Sequence, residues 1–332
     1  MLFTGVAPGR IDMLGGVSDY SGGRVLQVAT IAMTTVTASI YPTSSPTLDD
    51  EVVMLSSVFG GNCAERVSIS VLRDTLEGVE GGGSGGSGGS ALTPAALRAI
   101  RAYLTEAGIA QWGFYVFGSF AAFALETGWL PPRGSMLKLS VTSTVPVAQG
   151  VSSSASVEIA TLRALGAISS LALSPLRAAH VAQLAENFVV GAPCGLMDQL
   201  ASSLGVAGKV LPILCRPDII DKPIALPEGV VVVGWPSGVE HSIGASPYLN
   251  ARTSAFMAKK VLERVSGRDV AHLTEFSPSD FADLVDSIPS TITGEAFLME
   301  YQSVDDTLSV IDSATLYHLK NAARFPIEEN FR

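Results

Sequence analysis

Three short segments of the chain place glycines beside charged or hydroxyl side chains, as ligand-binding loops do. The first, residues 7–23, has the sequence APGRIDMLGGVSDYSGG and contains Arg10, Asp12 and Asp19. Glycine lets the backbone approach a ligand closely, and loops at strand ends are common places for convergent polar groups. The segment is therefore a candidate binding loop, although a polar turn without function has the same composition.

The second segment, residues 146–156, has the sequence PVAQGVSSSAS and leads into a predicted helix. The first N–H groups of a helix have no partner within the helix and carry partial positive charge, which suits phosphate binding. A helix that is merely well capped by serine is the plainer alternative. A serine hydrolase is a weaker interpretation because no GxSxG frames these serines.

The third segment, residues 190–199, has the sequence VGAPCGLMDQ and presents Asp198 at the head of a further predicted helix. A carboxylate in this position can act as a base toward a substrate hydroxyl. An aspartate that only caps the helix is the alternative. Cys194 is interpreted as a small buried thiol, since no base lies beside it in the sequence.

The elements that must position these segments follow from local hydrophobic patterns. Residues 32–40 and 137–142 alternate apolar and polar side chains, which predicts two strands of antiparallel type with one solvated face. The apolar run 112–125 predicts a buried helix and is shorter than the roughly 20 residues that span a bilayer. Further predicted elements are a helix from Ser153, a helix from Ser174 to Gly191, a strand at 230–233 and a helix at 249–265. Together they indicate an α+β fold without regular βαβ alternation.

Composition limits the partners. The chain has 332 residues, 47% of them hydrophobic and 16% charged, and a formal net charge of -10. Such a surface repels polyanions, so neither nucleic acid nor an anionic membrane is predicted as a partner. Three cysteines without a CxxC pair indicate neither a disulfide framework nor a zinc site, and they favour the cytoplasm. The run GGGSGGSGGS at residues 81–90 is predicted to be a flexible insertion, because no Lys-Ser/Thr follows it as in a P-loop.

Taken in order, PGRxxxLGxxxDYxGG, PxxxGVSSSAS and GxPCGxMDQ resemble the sugar-kinase branch of the GHMP kinases, of which galactokinase is the best-known member. The stretches GGVSDYSGGRVLQ, HSIGASPY and FPIEENFR are similar to the kinase portion of the L-arabinokinases. The resemblance covers essentially the whole chain except the insertion. It implies a GHMP kinase fold, with an N-terminal domain like domain 2 of ribosomal protein S5 at 1–205 and a ferredoxin-like domain at 206–332.

The resemblance also implies roles for individual residues in a kinase that uses ATP and Mg²⁺. Asp198 would take the proton of the anomeric hydroxyl, and Arg10 would keep Asp198 ionised and hold charge at the phosphoryl group. Asp19 and Tyr248 would bind the sugar hydroxyls, while Asp12 receives no role. The nucleotide phosphates would lie against Gly150, Val151, Ser152, Ser153, Ser154 and Ala155. Magnesium would lie between Ser154 and Glu186, although Glu186 is equally consistent with a solvated carboxylate on a helix face.

The sugar is predicted from a departure at the first motif. Galactokinases have Glu and His where this chain has Gly16 and Val17, and that Glu binds the 6-hydroxyl. L-Arabinopyranose has the ring stereochemistry of D-galactopyranose without the C6 group, so phosphorylation of L-arabinose to L-arabinose 1-phosphate is predicted. Galactose phosphorylation is the alternative.

A second departure lies at the C-terminal end of the sequence. The resemblance implies a third, glycine-rich motif beyond FPIEENFR, and no such segment occurs in the chain apart from the predicted insertion. We therefore expect an incomplete second domain, and a binding relative without catalysis is a further alternative. The expected ligands are a sugar and ATP, and the oligomeric state is left open.

Overall fold

The computed structural model describes residues 1–42, 52–57, 63–80, 91–216, 218–238 and 246–329. Its contacts divide the chain into two compact units. The first comprises Met1–Ile11, Ala29–Ala192 and Asp198–Ala207, and the second comprises Asp12–Val28, Pro193–Met197 and Gly208–Arg332. Two short segments of the second unit, Asp12–Val28 and Pro193–Met197, thus lie between segments of the first unit in the sequence. The predicted boundary between residues 205 and 206 stays a prediction. The insertion at 81–90 lies outside the described residues.

The strands of the first unit pair with one another in one sheet. Strand β1 (Phe3–Leu14) pairs with β2 (Arg24–Pro42), and the later strands are β3 (Val52–Ser57), β4 (Cys63–Ser68) and β5 (Ser135–Ser143). Strand β2 pairs antiparallel with β5, with Val36 opposite Val141 and Ala38 opposite Leu139. These four side chains are buried, which confirms both predicted strands and their alternation. Strand β3 pairs parallel with β5 and antiparallel with β4.

The helices of the first unit are α1 (Ser70–Glu80), α2 (Pro94–Glu106), α3 (Gln111–Thr127), α4 (Ser153–Ser169), α5 (Pro175–Ala185) and α6 (Met197–Leu204). A π-helical turn, Glu186–Val190, continues α5. Helix α3 is buried along most of its length, as its apolar run predicts. Ser174 caps α5 by accepting a hydrogen bond from the N–H of Arg177, which confirms the predicted start of that helix. None of the helices in the described ranges is long and apolar enough to cross a membrane.

In its described residues, the second unit contains short strands and four α-helices. Strand β6 (Lys209–Cys215) pairs antiparallel with the first residues of β2 and with the short strands β7 (Asp218–Ile220) and β8 (Ile224–Ala225). A separate ribbon joins β9 (Ile292–Thr293) to β10 (Leu316–Tyr317). The helices are α7 (Ser246–Ser266), α8 (Pro278–Leu284), α9 (Gly294–Tyr301) and α10 (Leu319–Glu329). Helix α7 confirms the predicted helix at 249–265. The core of the second unit includes Met257, Phe276, Phe297 and Tyr317.

The predicted strand at residues 230–233 is wrong. These residues form no regular structure, and the side chains of Val231 and Val233 are 78% and 73% exposed. A short apolar run becomes a strand only where a neighbouring backbone supplies hydrogen bonds and one face is covered. Within the ranges that the structure describes, no strand pairs with this run.

Candidate active site

An ion pair joins the first and third motifs in the first unit. Arg10 lies on β1, and Asp198 lies in the first turn of α6. The Nε and Nη2 atoms of Arg10 donate to Oδ1 of Asp198 at 2.8 and 2.6 Å. Both side chains are largely shielded from solvent. Two hydrogen bonds from one planar guanidinium hold the carboxylate in a defined place, as a positioned proton acceptor requires.

The same arginine also holds the glycine loop of the second motif. Arg10 donates from Nη1 to the carbonyl oxygen of Gly150 at 2.7 Å, and its backbone N–H donates to the carbonyl oxygen of Val151 at 3.0 Å. Ala148, Gly150 and Ser152 have φ values of 57°, 69° and 55°. A side chain in this left-handed region costs about 1–3 kcal/mol, and such strain is concentrated at ligand sites. Arg10 therefore connects the candidate base to the candidate phosphate loop.

The serine run does not form a conventional helix cap. Ser152 occupies the N-cap position of α4, but its buried Oγ makes no hydrogen bond within the described part of the chain. Ser153 and Ser154 are half-buried, and Ala155 is buried. The Oγ of Ser156 instead contacts Oγ1 of Thr34 at 2.7 Å, which is a structural contact inside the unit. The side chain of Ser152 therefore does not cap α4, and phosphate binding by this loop stays a prediction.

One buried amide joins two buried carboxyl groups in the first unit. Glu186 begins the π-helical turn, and Glu158 lies on the buried side of α4. The Nε2 atom of Gln199 donates to Oε2 of Glu186 at 2.5 Å and to Oε2 of Glu158 at 3.2 Å. All three side chains are buried, so the alternative of a solvated Glu186 is wrong. π-Helical turns inside α-helices are frequent at functional sites.

In the second unit, the carboxylate of Asp19 is held against two backbone segments. The N–H of Tyr20 donates to Oδ1 of Asp19 at 2.7 Å. A Cβ placed on Gly195 would lie 1.6 Å from Oδ2 of Asp19, so the carboxylate occupies the space that this glycine leaves. The ring of Tyr248 meets the ring of Tyr20 edge to face, with centroids 6.3 Å apart. Burial and the charge of Asp19 raise the pKa of the Tyr248 hydroxyl above its ordinary value, so the hydroxyl is protonated at neutral pH and can donate a hydrogen bond.

Comparisons with known proteins identify the family of the chain. Residues 114–206 match the family model of the GHMP kinases N terminal domain. The chain belongs to the GHMP kinases. It is 30% identical to L-arabinokinase of Arabidopsis thaliana over 368 residues, covering 100% of this chain and 35% of that protein. It is 30% identical to galactokinase of Chloroflexus aggregans over 283 residues, covering 85% of this chain and 61% of that protein.

A solved structure confirms the GHMP kinase fold and the α+β class. Lactococcus lactis galactokinase, solved in complex with galactose, superposes with a TM-score of 0.65 at 19% identity. The match covers 99% of this chain and 67% of that chain. At this identity the likeness supports the fold alone. This GHMP kinase chain spans about a third of the curated arabinokinase and about three fifths of the curated galactokinase.

The predicted site residues of this GHMP kinase fall into one group in each unit. Arg10, Asp198 and the loop from Gly150 meet in the first unit, while Asp19 and Tyr248 each contact Tyr20 in the second. Their functional roles stay predictions. Sequence reasoning missed Glu158 and Gln199, although each had a local signal. Glu158 is a charged residue on the apolar side of α4, and Gln199 directly follows Asp198.

Asp12, which received no role from the sequence, supports the turn of the first motif. Its Oδ2 accepts from the N–H of Gly16 and its Oδ1 accepts from Nε2 of Gln27, both at 2.7 Å. Gly16 has a φ of 51°, a backbone conformation that favours glycine. Asp12 thus holds this turn in shape, and Gln27 is a third residue that sequence reasoning missed.

The donor set of the first unit fits a magnesium ion held jointly with a nucleotide. Within the described residues, no group of three or more His, Cys, Asp or Glu side chains forms a metal site. Magnesium in kinases commonly takes one or two protein oxygens and completes its shell with phosphates and water. Glu186 offers a carboxylate, and Ser154 offers a hydroxyl at the start of α4. The residues present are compatible with the predicted pair Ser154 and Glu186.

Glu158 leads to a prediction about pH. Burial, followed by the charge of Glu186 and then that of Asp198, raises the pKa of Glu158, while the Gln199 hydrogen bond lowers it. A pKa that is higher in the folded state means that folding favours the protonated form. The resulting stability is present below the unfolded pKa of about 4.3 and is lost as pH rises through the folded pKa. We therefore expect Glu158→Gln to gain stability relative to the wild type as pH rises from 4 to 8.

The measurement is the thermal midpoint of both proteins across this pH range, without metal. Glu228→Gln, at an exposed position, serves as the control and should show no such trend. A constant difference between Glu158→Gln and the wild type at all pH values would contradict the predicted protonation of Glu158.

Proposed function

We propose that the chain is a sugar 1-kinase that transfers the γ-phosphoryl group of ATP to the anomeric hydroxyl of L-arabinose. The products are ADP, L-arabinose 1-phosphate and a proton. The observation that carries the proposal is the position of Arg10, which contacts both Asp198 and the carbonyl oxygen of Gly150. One side chain thereby joins a candidate proton acceptor to a candidate phosphate loop.

In this proposal the chain contributes positioning and electrostatics. Asp198 takes the proton of the attacking hydroxyl, and Arg10 opposes the negative charge that spreads over the transferring phosphoryl. The N–H groups at the start of α4 hold the nucleotide phosphates, together with the loop residues from Gly150 to Ala155. Bound magnesium, held by Ser154 and Glu186, would neutralise charge on those phosphates.

The sugar is assigned to the group in the second unit. Asp19 accepts hydrogen bonds from ring hydroxyls, and the protonated Tyr248 donates one. Gly16 has no side chain with which to recognise a 6-hydroxyl, and this favours the pentose. The similarity to an arabinokinase over the whole chain supports the same choice. The net charge of -10 fits small-molecule ligands rather than nucleic acid or membrane, and we place the protein in the cytoplasm.

The experiment that tests this function is ADP release by the purified protein with Mg-ATP and L-arabinose, D-galactose or no sugar. We expect ADP to appear with L-arabinose faster than with D-galactose and far faster than without sugar. Faster release with D-galactose would favour the galactokinase alternative. A folded sample that sugar and nucleotide stabilise thermally, but that releases no ADP, would be a binding protein without catalysis.

Gly16→Glu tests the basis of sugar selection. We expect this variant to raise kcat/KM for D-galactose relative to L-arabinose, because it adds an acceptor for the 6-hydroxyl. A Cβ at Gly16 would lie 3.6 Å from Cε1 of Phe325, which is ordinary contact, but the φ of 51° costs about 1 kcal/mol. Gly16→Ala carries the same backbone strain without the carboxylate and is the matched control. An unchanged preference in Gly16→Glu relative to Gly16→Ala would contradict the assigned role of this position.

A further inference from the structure

A buried arginine lies behind the proposed sugar site in the second unit. Arg252, on α7, is 6% exposed. Its Nε donates to Oδ2 of Asp306 at 2.8 Å and its Nη2 donates to Oδ1 at 3.1 Å. This bidentate ion pair is buried, since each of the two side chains is 7% exposed. The guanidinium plane is thus held firmly by one edge.

The face of the same guanidinium packs on two aromatic rings. Its Cζ lies 5.0 Å from the ring centroid of Tyr20 and 5.3 Å from that of Phe256. The two rings are themselves stacked at 6.2 Å with an interplanar angle of 27°. A cation over aromatic faces in a desolvated setting is worth about 2 kcal/mol. Arg252 is therefore one of the side chains that hold the ring of Tyr20 in place.

Tyr20 in turn supports the carboxylate proposed to bind the sugar. Its backbone N–H is the group that donates to Oδ1 of Asp19 at 2.7 Å. Burial and the charge of Asp19 raise the pKa of Tyr248, and the charge of Arg252 acts against this rise. The Nη1 atom of Arg252 and the hydroxyl of Tyr20 are buried and make no hydrogen bond within the described part of the chain. The contact with Asp306 and the two rings, rather than complete hydrogen bonding, thus holds the cation here.

We propose that Arg252, held by Asp306, is a positioning residue that sets sugar affinity by fixing Tyr20 and, through it, Asp19. The inference rests on the proposed function, in which Asp19 binds ring hydroxyls. Arg252 acts through Tyr20 and touches no reacting atom.

The test is Arg252→Lys, which keeps the positive charge but loses the bidentate hydrogen bonds to Asp306 and the planar guanidinium that packs on the two rings. We expect the sugar KM to rise about tenfold, the effect of a displaced binding group, with kcat and the KM for ATP nearly unchanged. The thermal stabilisation by sugar should fall, while that by ATP should not. Asp306→Asn, which leaves Arg252 in place but loosens its hold, should shift the sugar KM in the same direction.

Arg264→Lys is the matched control. Arg264 lies on the same helix, its Cζ is 5.0 Å from the ring centroid of Tyr301, and it pairs with Glu300 in an exposed setting. This variant should leave both KM values unchanged. If Arg252→Lys left the sugar KM unchanged, or raised the KM for sugar and ATP together with a fall in thermal stability, Arg252 would be structural only.

The two proposals fail in different ways. If the wild type releases no ADP but is stabilised by sugar, the kinase proposal fails. The inference then stands only if Arg252→Lys loses that stabilisation and Arg264→Lys keeps it. If sugar neither stabilises the wild type nor supports ADP release, the inference is overturned as well.

Discussion

Asp198→Asn is expected to lower kcat by about 10²–10⁴-fold, the range that a positioned general base contributes. Asparagine keeps the shape of the side chain and an oxygen that can accept from Arg10, but it does not take a proton at neutral pH. The affinity for sugar should change little, because Asp19 and Tyr248 belong to the other group of residues. The measurement is kcat and KM from ADP release, together with the thermal midpoint.

The asparagine variant is more informative than alanine. Removing the whole carboxylate would leave the shielded cation of Arg10 without its partner, which typically costs about 3–5 kcal/mol in stability. Loss of activity in Asp198→Ala would then mix chemistry with unfolding. Glu126→Gln is the control, since Glu126 accepts two hydrogen bonds at 2.6 Å from Arg177 within the same unit. Wild-type kcat in Asp198→Asn would show that Asp198 only orients Arg10.

Gly195→Ala is expected to abolish most sugar binding, with the sugar KM rising about 100-fold and the KM for ATP unchanged. The added Cβ would lie 1.6 Å from Oδ2 of Asp19 and 2.1 Å from its Cγ, so the carboxylate has to leave its place. Overpacking of this kind costs about 1–3 kcal/mol in stability. Sugar titrations followed by thermal shift and by ADP release measure both effects.

Two further variants separate the steric cause from a general loss of stability. Gly267→Ala, in the same unit, meets no atom within 4 Å and carries only the strain of its φ of 71°, so its sugar KM should be unchanged. The double variant Gly195→Ala with Asp19→Ala removes the clash. It should recover stability relative to Gly195→Ala without recovering sugar binding. If Gly195→Ala alone bound sugar normally, Asp19 would not be the sugar ligand.

Local patterns predicted most of the elements that carry the site. Apolar periodicity and capping residues such as Ser174 predicted the strands β2 and β5 and the helices α3, α4, α5 and α7. Both signals depend only on residues of the element itself, because the pattern shows which of its faces is buried and the cap shows where it begins. The run 230–233 shows where this reasoning stops. Its apolar side chains are compatible with a strand, but strand formation depends on a partner that lies elsewhere in the chain.

The sequence by itself determined which residues are candidates for the chemistry: the guanidinium of Arg10, the carboxylates of Asp19 and Asp198, and the glycine loops beside them. These choices are local, because glycine and charge are needed at the ligand whatever surrounds them. Only the tertiary structure decided which of these groups meet. Arg10 reaches Asp198 across 188 residues of sequence, Gln199 bridges two buried carboxyl groups, and Arg252 packs on Tyr20. Contacts of this kind depend on how whole elements pack, and residue periodicity contains no information on that packing.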